Sequence, residues 1–200
     1  MEQHRCVDET QPSHGLRVHA HSRYRVRYPV RMAVTVRPLR DDEMRLYLQI
    51  HERAIRGLAA THYSQDDIEG WVVPGTDENQ RRLTLNADRE IRFLAELDGV
   101  PVGIGAFVLE NAELRAVYVA PEAARRGCGS ALVHAIERTA RDNEVTRLTL
   151  DASLNAEPFY AALGYDVLER TEVALPNHHP MAVVRMGKDL QRLPHAGRRR

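Results

Sequence analysis

Gly127 and Gly129 flank Cys128 in the stretch Ala123-Ala124-Arg125-Arg126-Gly127-Cys128-Gly129-Ser130-Ala131-Leu132. A turn of this kind, opening into a helix, presents free backbone amides at the helix's partly positive end, which suits phosphate. A Walker loop requires a lysine after its last glycine, and none stands here. A dinucleotide fingerprint requires Gly or Ala where Leu132 stands, and that side chain would obstruct the close helix–strand packing the motif permits. What survives is a pyrophosphate held, without a catalytic metal, by the amides of Gly127, Gly129 and Ser130 beside Arg125 and Arg126. The plainer alternative is a strand–helix turn in which the glycines only allow tight geometry.

The elements that must position this turn follow from periodicity and punctuation. Residues 33–39 alternate as a strand that ends at Pro38. Asp41 or Asp42 can cap a helix over about 43–58, with Met44, Leu48, Ala54 and Ile55 on its apolar side. Ser64, with Asp67 at the capping-box position, starts a second helix that runs through Trp71. Residues 74–86 are polar, with helix expected only in their middle. Asp98-Gly99 marks a hairpin, and a third strand of that run ends at Pro121. A helix over about 130–142 buries Leu132, Ala135, Ile136 and Thr139. After a strand over about 145–151, Asn155 is expected to cap a short helix, with Pro158 in its first turn and Gly164 stopping it. Strands over about 166–174 and 181–188 close the fold. Strands joined both by hairpins and by helical crossovers imply an α/β domain with a mixed sheet.

Around the glycine turn the motifs combine. Val117-Tyr118-Val119 and Pro121-Glu122 precede the loop Ala124–Gly129, and Asn155–Tyr160 and Leu163-Gly164-Tyr165 follow it. From Leu114 to Tyr165, and more loosely from Thr35 to Lys188, the chain resembles the GNAT superfamily of acyl-CoA-dependent N-acetyltransferases. Ala124 departs from that family's pattern, standing where Gln or Arg is usual.

The resemblance implies a single GNAT-like domain: a mixed central sheet with a bulged fourth strand splayed from the fifth, and helices on both faces. It implies acetyl-CoA as the acyl-donor cosubstrate and no metal. Its pantetheine arm would pair along Val117, Tyr118 and Val119. Its pyrophosphate would lie on Arg125, Arg126, Gly127, Cys128, Gly129 and Ser130, with Asn155 contacting the cofactor. Tyr160 stands where the family places a general acid for the departing thiolate. Glu113, at the head of the bulged strand, is the best-placed base, acting through water, with Asp151 a weaker candidate. The first two helices and their link would supply the acceptor pocket through His51, His62, Tyr63 and Trp71. Each of these residues has a plain reading beside the functional one: a core tyrosine, a solvated strand end, a structural or exposed histidine. Asp66, Asp67 and Glu69 would attract a cationic amine, but helix starts favour acids in any case. A covalent route through Cys128 is conceivable at a helix N-terminus, although the family transfers directly. His178-His179 lack the Cys or carboxylate companions of a metal site and read as a turn.

Composition bounds the rest. Lys+Arg and Asp+Glu number 28 each, so no net field favours nucleic acid. With 43% hydrophobic residues the chain can bury a sizeable core. Two cysteines make no disulfide framework, no apolar run reaches membrane length, and the N-terminus lacks a signal's apolar region, which together lead us to expect a cytoplasmic protein. Residues 1–31 read as a disordered basic and His-rich arm, or as an over-long gene start before Met32. Residues 32–190 read as the acyltransferase domain and 191–200 as an Arg-rich tail. The partner expected is a small-molecule or peptide amine, with no membrane and no nucleic acid; a homodimer is compatible with the sequence. The rival reading is a catalytically silent acyl-CoA-binding sensor or interaction module.

Overall fold

The computed structural model describes residues 33–85 and 90–190. The expected arm and tail lie outside them. Strand β1 (Val34–Pro38) leads through a 3-10 turn into helix α1 (Met44–Leu58), followed by α2 (Gln65–Trp71) and α3 (Asp77–Leu85). Ser64 caps α2 in a full capping box: its hydroxyl accepts from the Asp67 amide, and the Asp67 carboxylate accepts from the Ser64 amide at 2.9 Å. Strands β2 (Ile91–Leu97) and β3 (Val100–Val108) form the hairpin, turning at Asp98 (φ 53°) and Gly99 (φ 80°), both left-handed as a tight two-residue turn demands. Then come β4 (Glu113–Val119), α4 (Cys128–Asp142), β5 (Arg147–Ser153), α5 (Glu157–Ala162), β6 (Asp166–Ala174) and β7 (Pro180–Asp189).

These strands make one mixed seven-stranded sheet in the order β1-β2-β3-β4-β5-β7-β6. Only β4 and β5 run parallel as neighbours, and they pair at a single position, Glu113 with Thr149, before diverging. Opposite Ala106 and Phe107, strand β4 inserts one extra residue, Arg115, between its paired residues Leu114 and Ala116. Such a bulge bends and over-twists its strand, which fits the parting of β4 from β5. The bulged, splayed fourth strand is therefore present.

Each face of the sheet carries its own core. On one, Leu132, Val133, Ile136 and Ala140 of α4 pack against Phe107, Leu114, Leu148 and Leu150. Gly105 permits this approach, because a Cβ there would lie 3.2 Å from Ile136 and 3.3 Å from Leu132. On the other face, Met44, Tyr47, Leu48 and Ile50 of α1 cover Leu94 and Ile104. Burying a Leu or Ile fully contributes about 1.5–3 kcal/mol, so these two layers fix where α1 and α4 stand on either side of β4.

Three local expectations need correction. Helix α4 begins at Cys128 rather than Ser130, and its buried stripe ends on Ala140, with Thr139 only half-buried. Asn155 is not the cap of α5: Ala156 holds that position without a side-chain bond, and Asn155 Nδ2 donates instead to the Leu58 carbonyl at 3.3 Å. That choice is tertiary, since it depends on the end of α1 coming alongside. Residues 77–85 form a helix longer than their polar sequence suggests.

Candidate active site

Where β4 and β5 part, they open a cleft of about 600 Å³. One wall is Val117, Tyr118 and Val119 of β4, and the far wall is Ser153, Asn155 and Phe159. Ile55 and Leu58 of α1 and Trp71 of α2 roof it, and Arg125, Gly127, Gly129 and Ser130 close one end. The divergence of two parallel strands leaves their facing backbone groups without each other as partners, so an extended ligand can pair there as an added strand.

The glycine turn leads directly into α4. Gly127, at φ +85°, is the residue before α4 and supplies no side chain to cap it. The first amides of a helix have no intrahelical partner, which leaves those of Cys128, Gly129 and Ser130 open at its positive end. Arg125 lines the cleft beside them, whereas Arg126 does not, although it is exposed. At Gly129 a Cβ would lie 3.1 Å from the Phe159 ring, so the cradle is as narrow as a glycine allows. The Cys128 side chain turns into the core at 1% exposure, and burial pushes its thiol pKa up, which removes the basis for an activated thiolate. Ala124 lines the cleft with no more than a methyl group.

Asn155 Oδ1 is buried in the cleft wall with no hydrogen-bond partner among the described residues. A buried amide oxygen left so is costly and asks for a donor. The open amides, the cationic Arg125 and this oxygen together fit a diphosphate joined to an amide-bearing arm, which is the chemistry of CoA.

Tyr160 is buried behind the cleft wall, its ring edge-on to Phe159 at 5.0 Å and to Tyr165 at 5.7 Å. Burial, reinforced by the neighbouring Tyr118, pushes its pKa well above the ordinary tyrosine value, so the phenol keeps its proton. Tyr118 is likewise pushed up to about 12, mainly by burial and against the pull of a hydrogen bond from Trp71.

Glu113 lies outside this cleft. It lines a separate hollow of about 250 Å³ with Asn111, Thr149, Asp151 and Arg185. Its carboxylate accepts from Arg115 at 2.7 Å and from Asn111 at 3.3 Å, and Asp151 is held by Arg185 at 2.9 Å.

The four acceptor-pocket candidates separate. Trp71 faces the cleft. Tyr63 spends its hydroxyl on a clamp, accepting from the Leu154 amide and donating to the Ala182 carbonyl, each at 2.8 Å. His62 is exposed, its Nδ1 within 2.8 Å of the Thr61 hydroxyl. His51 is buried under Tyr118, ring centroids 4.6 Å apart, and burial lowers its pKa to about 4. The cleft roof of Ile55, Leu58 and Ala59 and the wall residue Phe159 were not among the candidates. Phe159 was within reach, standing beside Tyr160 in its motif; the roof residues looked like ordinary core. His178 and His179 do form the β6–β7 turn, with His179 Nε2 3.0 Å from Asp67. Among the described residues no group of three or more His, Cys, Asp and Glu is placed to hold a metal, and no helix is long and apolar enough to cross a membrane.

Comparison with known proteins places the geometry. The family pattern described as an acetyltransferase (GNAT) domain matches residues 59–185. The uncharacterized N-acetyltransferase YafP of Escherichia coli K12 is 26% identical over 140 residues, covering 70% of this chain and 86% of its own length. A crystal structure of a GCN5-related N-acetyltransferase from Rhodopseudomonas palustris superposes with a TM-score of 0.73 at 28% identity, over 80% of this chain and 98% of that one. The PaiA N-acetyltransferase of Thermoplasma acidophilum, solved in complex with coenzyme A, shares the fold at a TM-score of 0.63 and 17% identity, over 79% and 99% of the two chains.

Proposed function

This chain belongs to the GNAT acetyltransferase family and is an acyltransferase, and we propose that it moves an acetyl group from acetyl-CoA to a primary amine directly, with both substrates bound together. The observation that carries the reading is the cleft itself: open helix-start amides and Arg125 at one end, and the partnerless Asn155 Oδ1 in its wall. In this reading the amides of Cys128, Gly129 and Ser130 with Arg125 hold the pyrophosphate, and Arg126 adds positive charge at the mouth. The backbone of Val117, Tyr118 and Val119 aligns the pantetheine arm, and Asn155 Oδ1 accepts from one of its amides. Acetyl-CoA supplies the activated acyl carbonyl.

Tyr160 keeps its proton at neutral pH and is the acid for the departing thiolate. Glu113 stands just before the bulge of β4 and receives the amine's proton through water, with Arg115 fixing its orientation. On the acceptor side Trp71 forms the apolar wall and His62 the rim. Tyr63 and His51 act by shaping that wall, one through its clamp and the other from beneath Tyr118. The acceptor is a small-molecule or peptide amine, and residues 32–190 suffice for the activity.

The test has two stages. CoA or acetyl-CoA at one hundred times its Kd should add about 2.7 kcal/mol of stability, a melting shift of roughly 5–11 °C for a domain of this size, where ATP and NAD give none. Thiol release with a panel of primary amines should then fall about 10²–10⁴-fold in Tyr160→Phe while CoA still binds. Full activity in that variant would remove Tyr160 from the mechanism, and no shift with CoA would remove the cofactor site.

A further inference from the structure

Of the 28 Lys and Arg residues, Lys188 is the one lysine. Every other residue of that set is arginine, and the surroundings of Lys188 suit an ammonium. Lys188 Nζ donates to Glu137 Oε1 at 2.8 Å and to the Leu163 carbonyl at 2.7 Å, and lies 5.4 Å from the centre of the Tyr165 ring. One compact ammonium serves all three partners at its tip, whereas arginine would bring a longer side chain ending in a planar fork.

The three partners sit on the parts of the molecule that must stay in register. Glu137, with its side chain 4% exposed, belongs to α4, whose first turn offers the open amides. Leu163 ends α5, which carries Tyr160. Tyr165 returns its amide to the Tyr160 carbonyl at 3.1 Å and its ring to the Tyr160 ring at 5.7 Å. Helix α5 has only 6 residues and little stability of its own. Its position therefore depends on what grips its end.

We propose that Lys188 is a positioning residue for acyl transfer: through Glu137, Leu163 and Tyr165 it braces the helix carrying Tyr160 against the helix carrying the amide cradle. This rests on Tyr160 being the acid. Glu137 also accepts from Arg141 at 3.2 Å, so the carboxylate is held from both sides and the brace has a fixed foot.

The full-length chain tests it, with thiol release from acetyl-CoA on the best amine of the panel and calorimetric binding of CoA as readouts. Lys188→Met should lower kcat about ten- to a hundredfold, the scale of a small misplacement of a reacting group, with the KM values and the CoA Kd within about threefold. Lys188→Arg should not restore the rate. Lys188→Met leaves the Glu137 charge to Arg141 alone and can lower stability, so the double variant Glu137→Gln/Lys188→Met, which removes that charge and keeps an acceptor for Arg141, is the decisive one. The brace predicts that this variant melts as the parent does and stays slow. Recovery of rate together with stability would overturn the proposal, as would an unimpaired Lys188→Met. Tyr160→Phe is measured alongside: if it alone retains full activity, the reading of Tyr160 fails and the brace with it, whereas a slow Tyr160→Phe beside a fast Lys188→Met overturns the brace only.

Discussion

Trp71 Nε1 donates a hydrogen bond of 3.1 Å to the hydroxyl of Tyr118, joining α2 to the β4 wall of the cleft. The bond lowers the Tyr118 pKa against the rise that burial imposes. It also holds the indole edge-on to the phenol, ring centroids 6.2 Å apart. Trp71→Phe keeps the apolar wall and deletes the donor. Steady-state kinetics should show the amine's KM rising by at most about two- to tenfold, because the acceptor wall loses the one neutral hydrogen bond that fixes the indole, with the KM for acetyl-CoA unchanged. An equal rise in both would mean that Trp71 serves the cofactor arm instead.

Gly129 sets the width of the cradle. An added methyl would stand 3.1 Å from Phe159 Cζ, closer than packed side chains normally come, while meeting Val119 Cγ2 at an ordinary 3.7 Å. Overpacking costs about 1–3 kcal/mol, so Gly129→Ala should weaken CoA roughly five- to hundredfold in a calorimetric titration. Gly75→Ala is the control, since its Cβ would meet only Leu48 Cβ, at an ordinary 3.9 Å.

Asn155 distinguishes a structural from a ligand-facing amide. Among the described residues its side chain has one bond, to Leu58, long at 3.3 Å, and its Oδ1 is buried without a partner. Asn155→Ala should therefore leave the melting temperature of the free protein nearly unchanged and lower CoA affinity about two- to tenfold. A large loss of stability with normal CoA binding would make Asn155 a structural residue.

His51 predicts an acid-sensitive fold. Burial lowers its pKa from 6.5 to about 4, so in the window between those values the unfolded chain binds a proton that the native one refuses. Stability is then complete above pH 6.5 and falls as pH drops towards 4, by about 3 kcal/mol in all. His51→Leu should flatten this part of a urea-denaturation pH profile. Its Nδ1 is buried without a partner among the described residues, so the substitution should not cost stability at pH 7.5. An unchanged slope would assign the acid sensitivity between pH 6.5 and 4 to another group; Glu43, whose pKa Arg37 holds down from 4.5 to about 2, loses its contribution only below that window.

Features written in short stretches of chain were legible in the sequence. The Ser64–Asp67 box, the left-handed Asp98-Gly99 turn and the apolar stripe of α4 each depend on residues a few positions apart. So does the stop at Gly164, where φ is +83° and the amides of Gly164 and Tyr165 reach back to Ala161 and Tyr160. The glycine turn and the motifs around it were enough to point to the family and its fold.

What faced what was decided only by the tertiary structure. The residue types of Asn155, His51 and Glu113 permit both functional and structural roles. Leu58 took the Asn155 amide and Tyr118 covered His51, both from distant segments, whereas Glu113 is held by Arg115, two residues along its own strand. Lys188 stands out in the sequence only as the one lysine, and its partners appear when α4 and α5 converge on its ammonium. Periodicity and caps report the energetics of a single turn or pair of strands. Sheet register and the divergence of β4 from β5 arise from packing both faces at once, and those choices placed the side chains around the cleft.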